Sequence, residues 1–211
     1  MMAKKIDRRV RRTRKRLRNA LIELILEQGY ESITIQEITD RADLSRATFY
    51  LHYQNGKDEL LGVSLEAMFD ELVESVQDLV YQQNLDSDEK QPPSLLAFKH
   101  VQEYSNLYKS LLGNKGVSSV IYRTLDYIAR ISRKQLDGLK LEHQIDTAPI
   151  PIELAAQHSA GSLFAMVSWW LENDMPYSAE EMAQFYQAIT VPSIRAALGI
   201  ERDKSEPSTY P

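Results

Sequence analysis

The chain has 211 residues, a net charge of −5 and 43% apolar side chains, enough for one large helical unit or for a small domain joined to a larger one. It has no Cys, which excludes disulfides and thiolate metal sites, and no apolar run near the ~18 residues of a membrane span. The charge is divided unevenly. Residues 1–18 hold ten Lys or Arg against one Asp, while residues 62–211 hold 12 basic against 21 acidic side chains. A polyanion contact is therefore expected at the N-terminal end only. No apolar signal core follows the basic start, so a soluble, cytoplasmic protein is expected.

Residues 1–7 read as disordered. A first helix is predicted over Arg8–Gln28, because Leu17, Leu21, Leu24 and Gln28 recur at helical spacing with Ile25 beside them. Gly29 stops it as a left-handed residue. The Thr34-x-x-Glu37 spacing is a capping box opening a second helix, with Ile35, Ile38 and Ala42 inward. Ala42-Asp43-Leu44 is a turn, and Ser45 caps a third helix whose Phe49 and Tyr53 face the core with Leu44. Asn55 and Asp58 signal a fourth helix over about 56–81, with Leu60, Leu61, Leu65, Met68, Phe69, Leu72, Val76 and Leu79 as its stripe.

Residues 84–93 form a loop, and a fifth helix spans about 94–112. Gly113 to Gly116 breaks the pattern. A sixth helix spans about 117–139, with Val120, Ile121, Leu125, Ile128 and Ile131 inward. After the loop at Ala148–Pro151 a seventh helix runs to Glu172. The Ser178-x-x-Glu181 box opens an eighth, kinked by Pro192 and closed by Gly199. Residues 200–211 read as a disordered tail. No strand-period pattern is present, so the fold class is all-α.

Residues 34–53 meet the separate demands of a helix-turn-helix, whose second helix presents its N-terminal residues to base edges. Thr34 and Ser45 are helix caps that could also lie beside phosphates. Arg46 is poorly explained as packing and could bond a guanine edge; the alternative is an ordinary exposed Arg. Ala47 allows close approach. Thr48 could meet a thymine methyl or a phosphate. Tyr50 and His52 lie outward if Phe49 and Tyr53 point in, and suit phosphate hydrogen bonds, or else lie half-buried at the edge of the head. Lys57, in the first turn of the fourth helix, could share a phosphate with that helix N-terminus or be a plain surface Lys.

Arg16–Leu61 resembles the DNA-binding domain of TetR-type regulators. The resemblance is carried by Leu17, Ala20-Leu21 and Leu24, by Gln28-Gly29-Tyr30, by Thr34-Ile35 and Ile38, by Ala42 with Leu44-Ser45, by Thr48-Phe49-Tyr50 with His52-Tyr53, and by Lys57 with Leu60-Leu61. It implies a three-helix DNA-binding head over 8–61 and a larger helical ligand-binding and dimerisation body over 62–199. It also implies a homodimer on a palindromic double-stranded operator, and Thr34, Ser45, Arg46, Thr48, Tyr50, His52 and Lys57 as DNA contacts. Two positions depart from the family pattern. Asp43 stands where Gly is usual, so it must tolerate a left-handed turn and point away from phosphate. Ala47 replaces a common Gly.

In the body, Tyr108-x-x-Leu111-Leu112-Gly113 and Gly161 through Met166 to Trp169-Trp170-Leu171 resemble one C-terminal subtype of that family, a few of whose members act as co-activators. Ala155, Ala156, Ser159, Ala160, Gly161 and Ser162 are small. They nominate the helices near 151–172 and 179–198 as the dimer contact, the alternative being packing within one chain. Phe98, Tyr104, Tyr108, Tyr122, Met166 and Trp170 are candidates to line a pocket for an unidentified small-molecule effector, the alternative being core. His100, His143 and His158 are isolated, so no metal or other cofactor is expected. No catalytic constellation appears, so enzyme activity is not expected. A ligand-responsive repressor is the leading reading. A helical interaction or co-activator protein keeping the fold without operator repression is the alternative.

Overall fold

The computed structural model describes residues 8–86, 92–112 and 118–200, with the backbone alone for 76–86, 93, 118 and 119. Among them are nine helices and no strand: α1 (Arg8–Gln28), α2 (Ile35–Arg41), α3 (Arg46–His52), α4 (Lys57–Asp86), α5 (Pro93–Glu103), α6 (Ser105–Leu112), α7 (Ser118–Glu142), α8 (Ile152–Glu172) and α9 (Ala179–Leu198). No described helix is long and apolar enough to cross a membrane. The expected disorder at 1–7 and 201–211, the Gly113–Gly116 break and most of the 84–93 loop fall outside the described residues, as do the side chains of Val76 and Leu79.

The chain divides into two compact units, Met1–Asp88 with His100–Arg123, and Glu89–Lys99 with Thr124–Pro211. The first unit thus includes all of α1 to α4 together with α6. In this unit α1 packs against α2, α4 and α6. Leu17, Leu21, Leu24 and Ile25 bury one face of α1 against Ile33, Ile38, Phe49, Tyr53, Leu60, Leu61 and Leu65. Gln28, expected on that face, is exposed and donates to Glu37 at 3.2 Å.

The caps follow their local sequences. Gly29 has φ +76 and its N–H reaches the Ile25 carbonyl at 3.0 Å, closing α1. Both halves of the Thr34–Glu37 box form, and Ser45 Oγ accepts from the Thr48 N–H at 3.1 Å. The start of α4 differs from expectation. Gly56, at φ +83, precedes Lys57, and Glu59 reaches back to accept from the Asn55 N–H at 2.8 Å. The capping device is thus Glu59 and not the Asn55 side chain.

Two further departures concern helix extent. The segment from Asn84 to Asp86 continues α4, since Gln82, Gln83, Asn84 and Leu85 contain no helix breaker. The single helix expected over 94–112 is two, separated at Tyr104, although the Tyr104 and Tyr108 N–H groups keep their carbonyl partners at His100 and Tyr104.

In the second unit α8 packs against α9. Leu136, Ala155, Ala156, Ala197 and Leu198 form one core, flanked by Leu139, Ile145, Ile152 and Ile194. Phe98 and Trp170, both fully buried, meet edge to face at 5.6 Å, and the Trp170 indole donates to the Tyr177 carbonyl at 2.9 Å. Both halves of the Ser178–Glu181 box open α9, which runs through Pro192 to a left-handed Gly199. On α7, Val120 is buried as expected, but the fully buried face otherwise lies beside the expected one. Val120, Thr124, Tyr127, Ala129 and Leu136 are buried, while Ile121, Leu125, Ile128 and Ile131 are half-buried beside them.

Candidate nucleic-acid interface

The third helix has only seven residues, so its orientation depends on what it buries. Phe49 and Tyr53 are inserted into the head core and stack tilted at 5.8 Å. Residues 46, 47, 50 and 51 are left exposed, with 48 and 52 at the flanks. Arg46, immediately after the Ser45 cap, has no hydrogen bond or ion pair among the described residues. Tyr50 is 40% exposed and rests its ring edge-on against Phe49. Leu51, at 76%, is far more exposed, and the outward angle fixed by Phe49 and Tyr53 was the sequence signal for it.

His52 is half-buried at the C-terminal end of α3. Burial and then the nearby Arg14 guanidinium hold its imidazole below the usual histidine range, so it is neutral at pH 7. Arg14 is thus near enough to the C-terminal end of α3 for its charge to act on His52. Arg8, Arg11, Arg12, Arg14 and Lys15 precede the first buried residue of α1, Leu17, and make no ion pair among the described residues. They give the N-terminal half of α1 a run of exposed cations, the kind of charge a phosphate backbone favours.

The turn before α3 shows how the chain accommodates Asp43. Its φ of +49 is the left-handed conformation that costs a non-glycine residue about 1 kcal/mol. Arg16 donates to its carboxylate at 2.9 Å and to its carbonyl at 3.1 Å. Asp43 is 94% exposed, so this pair contributes at most about 1 kcal/mol and roughly offsets the strain. Its larger effect is on charge. The acid in the turn is paired with a cation and does not face DNA unneutralised.

Two nominated contacts are committed elsewhere. The Thr34 hydroxyl both accepts from the Glu37 N–H and donates to the Glu37 carboxylate at 2.7 Å. Those bonds hold that carboxyl below its usual range, and its charge opposes a phosphate at the same place. Thr34 is a cap. Lys57 is a staple. Its ammonium donates to the carbonyls of Tyr30, Glu31 and Ile33 at 3.0, 3.2 and 2.8 Å and sits 4.5 Å from the centre of the Tyr30 ring. All three of its donors are used, tying α4 to the α1–α2 connector, whose Tyr30 hydroxyl also bonds Asp58. Burial, then that bond, raises the Tyr30 phenol well above its ordinary range.

Lys57→Met keeps the stem against Tyr30 but leaves three carbonyls without a donor. It should cost about 2 kcal/mol, or roughly 5 °C in Tm for a chain of this size. Operator affinity well below Tm should stay within about twofold of wild type. A calorimetric scan and a binding titration separate the roles, because a phosphate contact would give the opposite pattern.

The effector candidates fall in both units. Phe98, Met166 and Trp170 belong to the second unit, Tyr104, Tyr108 and Tyr122 to the first. Tyr122 is 78% exposed, two residues from the inward Val120 and Thr124 and so on the opposite side of α7, and cannot line an enclosed pocket in its unit. Phe98 and Trp170 fill each other's space as core. His100, which sequence reading set aside, lies 4.8 Å from the Tyr104 ring and 5.9 Å from that of Tyr108, and its buried Nε2 has no partner. Burial holds His100 below the ordinary histidine range, against the opposing charges of Glu103 and Glu71. No group of three or more metal-ligating side chains gathers among the described residues.

The expected dimer stripe is split. Ala155, Ala156, Ser159 and Ala160 are buried within the chain, whereas Leu154, His158, Gly161, Ala165 and Trp169 are exposed along α8. On α9, Phe185, Ile189, Pro192 and Ala196 are exposed at helical spacing. Trp169 stacks on Tyr177, which meets Phe185 edge-on at 5.2 Å.

Comparison with known proteins agrees with this geometry. Residues 17–62 match the family model described as bacterial regulatory proteins, tetR family, and residues 88–191 match a transcriptional regulator C-terminal region of that family. The HTH-type transcriptional regulator YxbF of Bacillus subtilis, itself uncharacterized, is 27% identical over 92% of this chain, which spans only 49% of that relative. The HTH-type transcriptional regulator SrpR of Pseudomonas putida is 25% identical over 94% of this chain and 87% of its own. A TetR-family regulator from Syntrophomonas wolfei shares the fold with a TM-score of 0.68, covering 91% of this chain and 100% of its own at 14% identity. The chain belongs to the TetR family of bacterial transcriptional regulators, DNA-binding proteins and not enzymes.

Proposed function

We propose that this regulator binds a palindromic operator as a homodimer and represses transcription until a small molecule occupies its body. The observation that carries the DNA reading is the outward face of α3. Arg46 is exposed with no hydrogen bond or ion pair among the described residues, Tyr50 is exposed, and α1 carries exposed cations in the same unit. Ser45 and Thr48 pair their hydroxyls at 2.9 Å on the same exposed edge, where either can turn to a phosphate. His52, kept neutral, can donate its one ring N–H to a phosphate oxygen. Thr34 and Lys57 act by holding the head together.

The dimer reading rests on the apolar faces of α8 and α9, which a two-fold partner would cover with the same faces. The effector reading rests on His100 and its two tyrosines. A buried nitrogen without a partner is costly, and a ligand supplying a hydrogen bond there would be favoured. Bound in that way, it would shift the operator-binding equilibrium by no more than its differential affinity for the two conformations.

Selection of bound duplexes from a random pool tests the DNA reading. It should return inverted repeats whose half-site centres lie about 34–36 Å apart or a multiple of that. Enrichment of no sequence, with binding that tracks salt alone, would leave the fold serving protein interaction instead.

A further inference from the structure

We propose that Leu51 is a specificity-determining residue that reads a thymine by its C5 methyl group; this rests on the operator-binding reading above. The inward side of α3 is fixed by Phe49 and Tyr53, both essentially fully buried. Leu51 lies two residues from each, about 200° of helical turn away. It therefore stands on the crest opposite the core, one turn after Ala47, which is also exposed. The side chain is 76% exposed on a seven-residue helix whose other exposed groups are polar, aromatic or a single methyl.

The crest of the recognition helix is thus apolar, while its polar groups, Arg46, Tyr50 and Thr48, stand at the N-terminal end and the flanks. Within the major groove the distinctive apolar group on a base edge is the thymine methyl. A leucine at the crest can bury a methyl but offers no hydrogen bond to a guanine or adenine edge. Ala47, small and one turn earlier, lets the backbone approach closely enough for Leu51 to reach the groove floor.

The test uses an operator duplex selected by the full-length protein, in which each thymine is replaced in turn by deoxyuridine. This removes the methyl and leaves the base pair intact. One symmetry-related thymine should be sensitive, with affinity falling about fourfold when one half-site is changed and roughly 15-fold when both are. Leu51→Ala should weaken binding to the unmodified operator by a similar factor and abolish sensitivity at that thymine alone. Leu51 is 76% exposed, so little packing is lost and the variant's thermal midpoint should lie close to wild type.

Equal deoxyuridine sensitivity in wild type and Leu51→Ala, or no sensitive thymine in a tightly bound operator, would overturn the assignment while leaving operator binding standing. Failure to enrich any sequence would overturn operator binding and this assignment together.

Discussion

Arg46→Ala should reduce affinity for the selected operator by about 30-fold to 10⁴-fold, because a bidentate arginine–guanine pair contributes roughly 1–3 kcal/mol and a dimer makes it twice. The residue makes no hydrogen bond or ion pair among the described residues, so the fold should be unaffected. Two observables separate base reading from phosphate binding. If Arg46 reads a base, selection with the variant returns a site relaxed at one position per half-site, and the salt dependence barely changes. If it binds a phosphate, affinity falls evenly across sequences and the logarithmic salt slope drops by about one per arginine. Affinity within twofold of wild type would remove Arg46 from the interface and shift the weight to Tyr50 and the cationic run of α1.

The helix ends were legible where their determinants are local. The Thr34–Glu37 and Ser178–Glu181 boxes, the Ser45 cap and the left-handed Gly29 and Gly199 each depend on residues within four positions. Their side chains and backbones meet whatever the rest of the chain does. The inward Phe49 and Tyr53 follow from the same short-range periodicity. The partners of Lys57 and Asp43 were not legible because they are distant in sequence. Lys57 meets carbonyls 24–27 residues away and Asp43 meets an arginine 27 residues away. An ammonium at a helix start looks available for phosphate until three carbonyls are found around it.

The body was less legible for a different reason. On α7 both Ile121–Leu125–Ile128 and Val120–Thr124–Tyr127 are continuous helical stripes, and periodicity does not choose between adjacent faces. The structure buries the second, which includes a threonine that a hydrophobicity reading passes over. On α8 the small residues pointed to a close helix contact, which they make inside the chain, against α9 and Leu136. What remains outward is larger: Leu154, Trp169, Phe185 and Ile189. The break at Tyr104 carries no Pro or Gly, so nothing in the composition announced it.

That outward face supplies the second large effect. Ile189→Glu should convert the protein from dimer to monomer at micromolar concentration in sedimentation equilibrium. In a two-fold interface the same patch contributes from both subunits, so each dimer would bury two carboxylates near its centre. Ile189 is 57% exposed in the chain, so the substitution removes little internal packing and the circular dichroism spectrum should be unchanged. Operator binding then loses the advantage of linkage. Two heads held in one molecule engage the second half-site at high effective concentration, and separate heads do not, which lowers apparent affinity about 10²- to 10⁴-fold. Single half-site binding should be nearly unaffected, because α3 lies in the other unit of the chain. If Ile189→Glu stays dimeric, the α8–α9 face is not the two-fold contact. If it becomes monomeric yet binds the full operator as tightly as before, each head recognises its half-site independently and the palindrome has no energetic role.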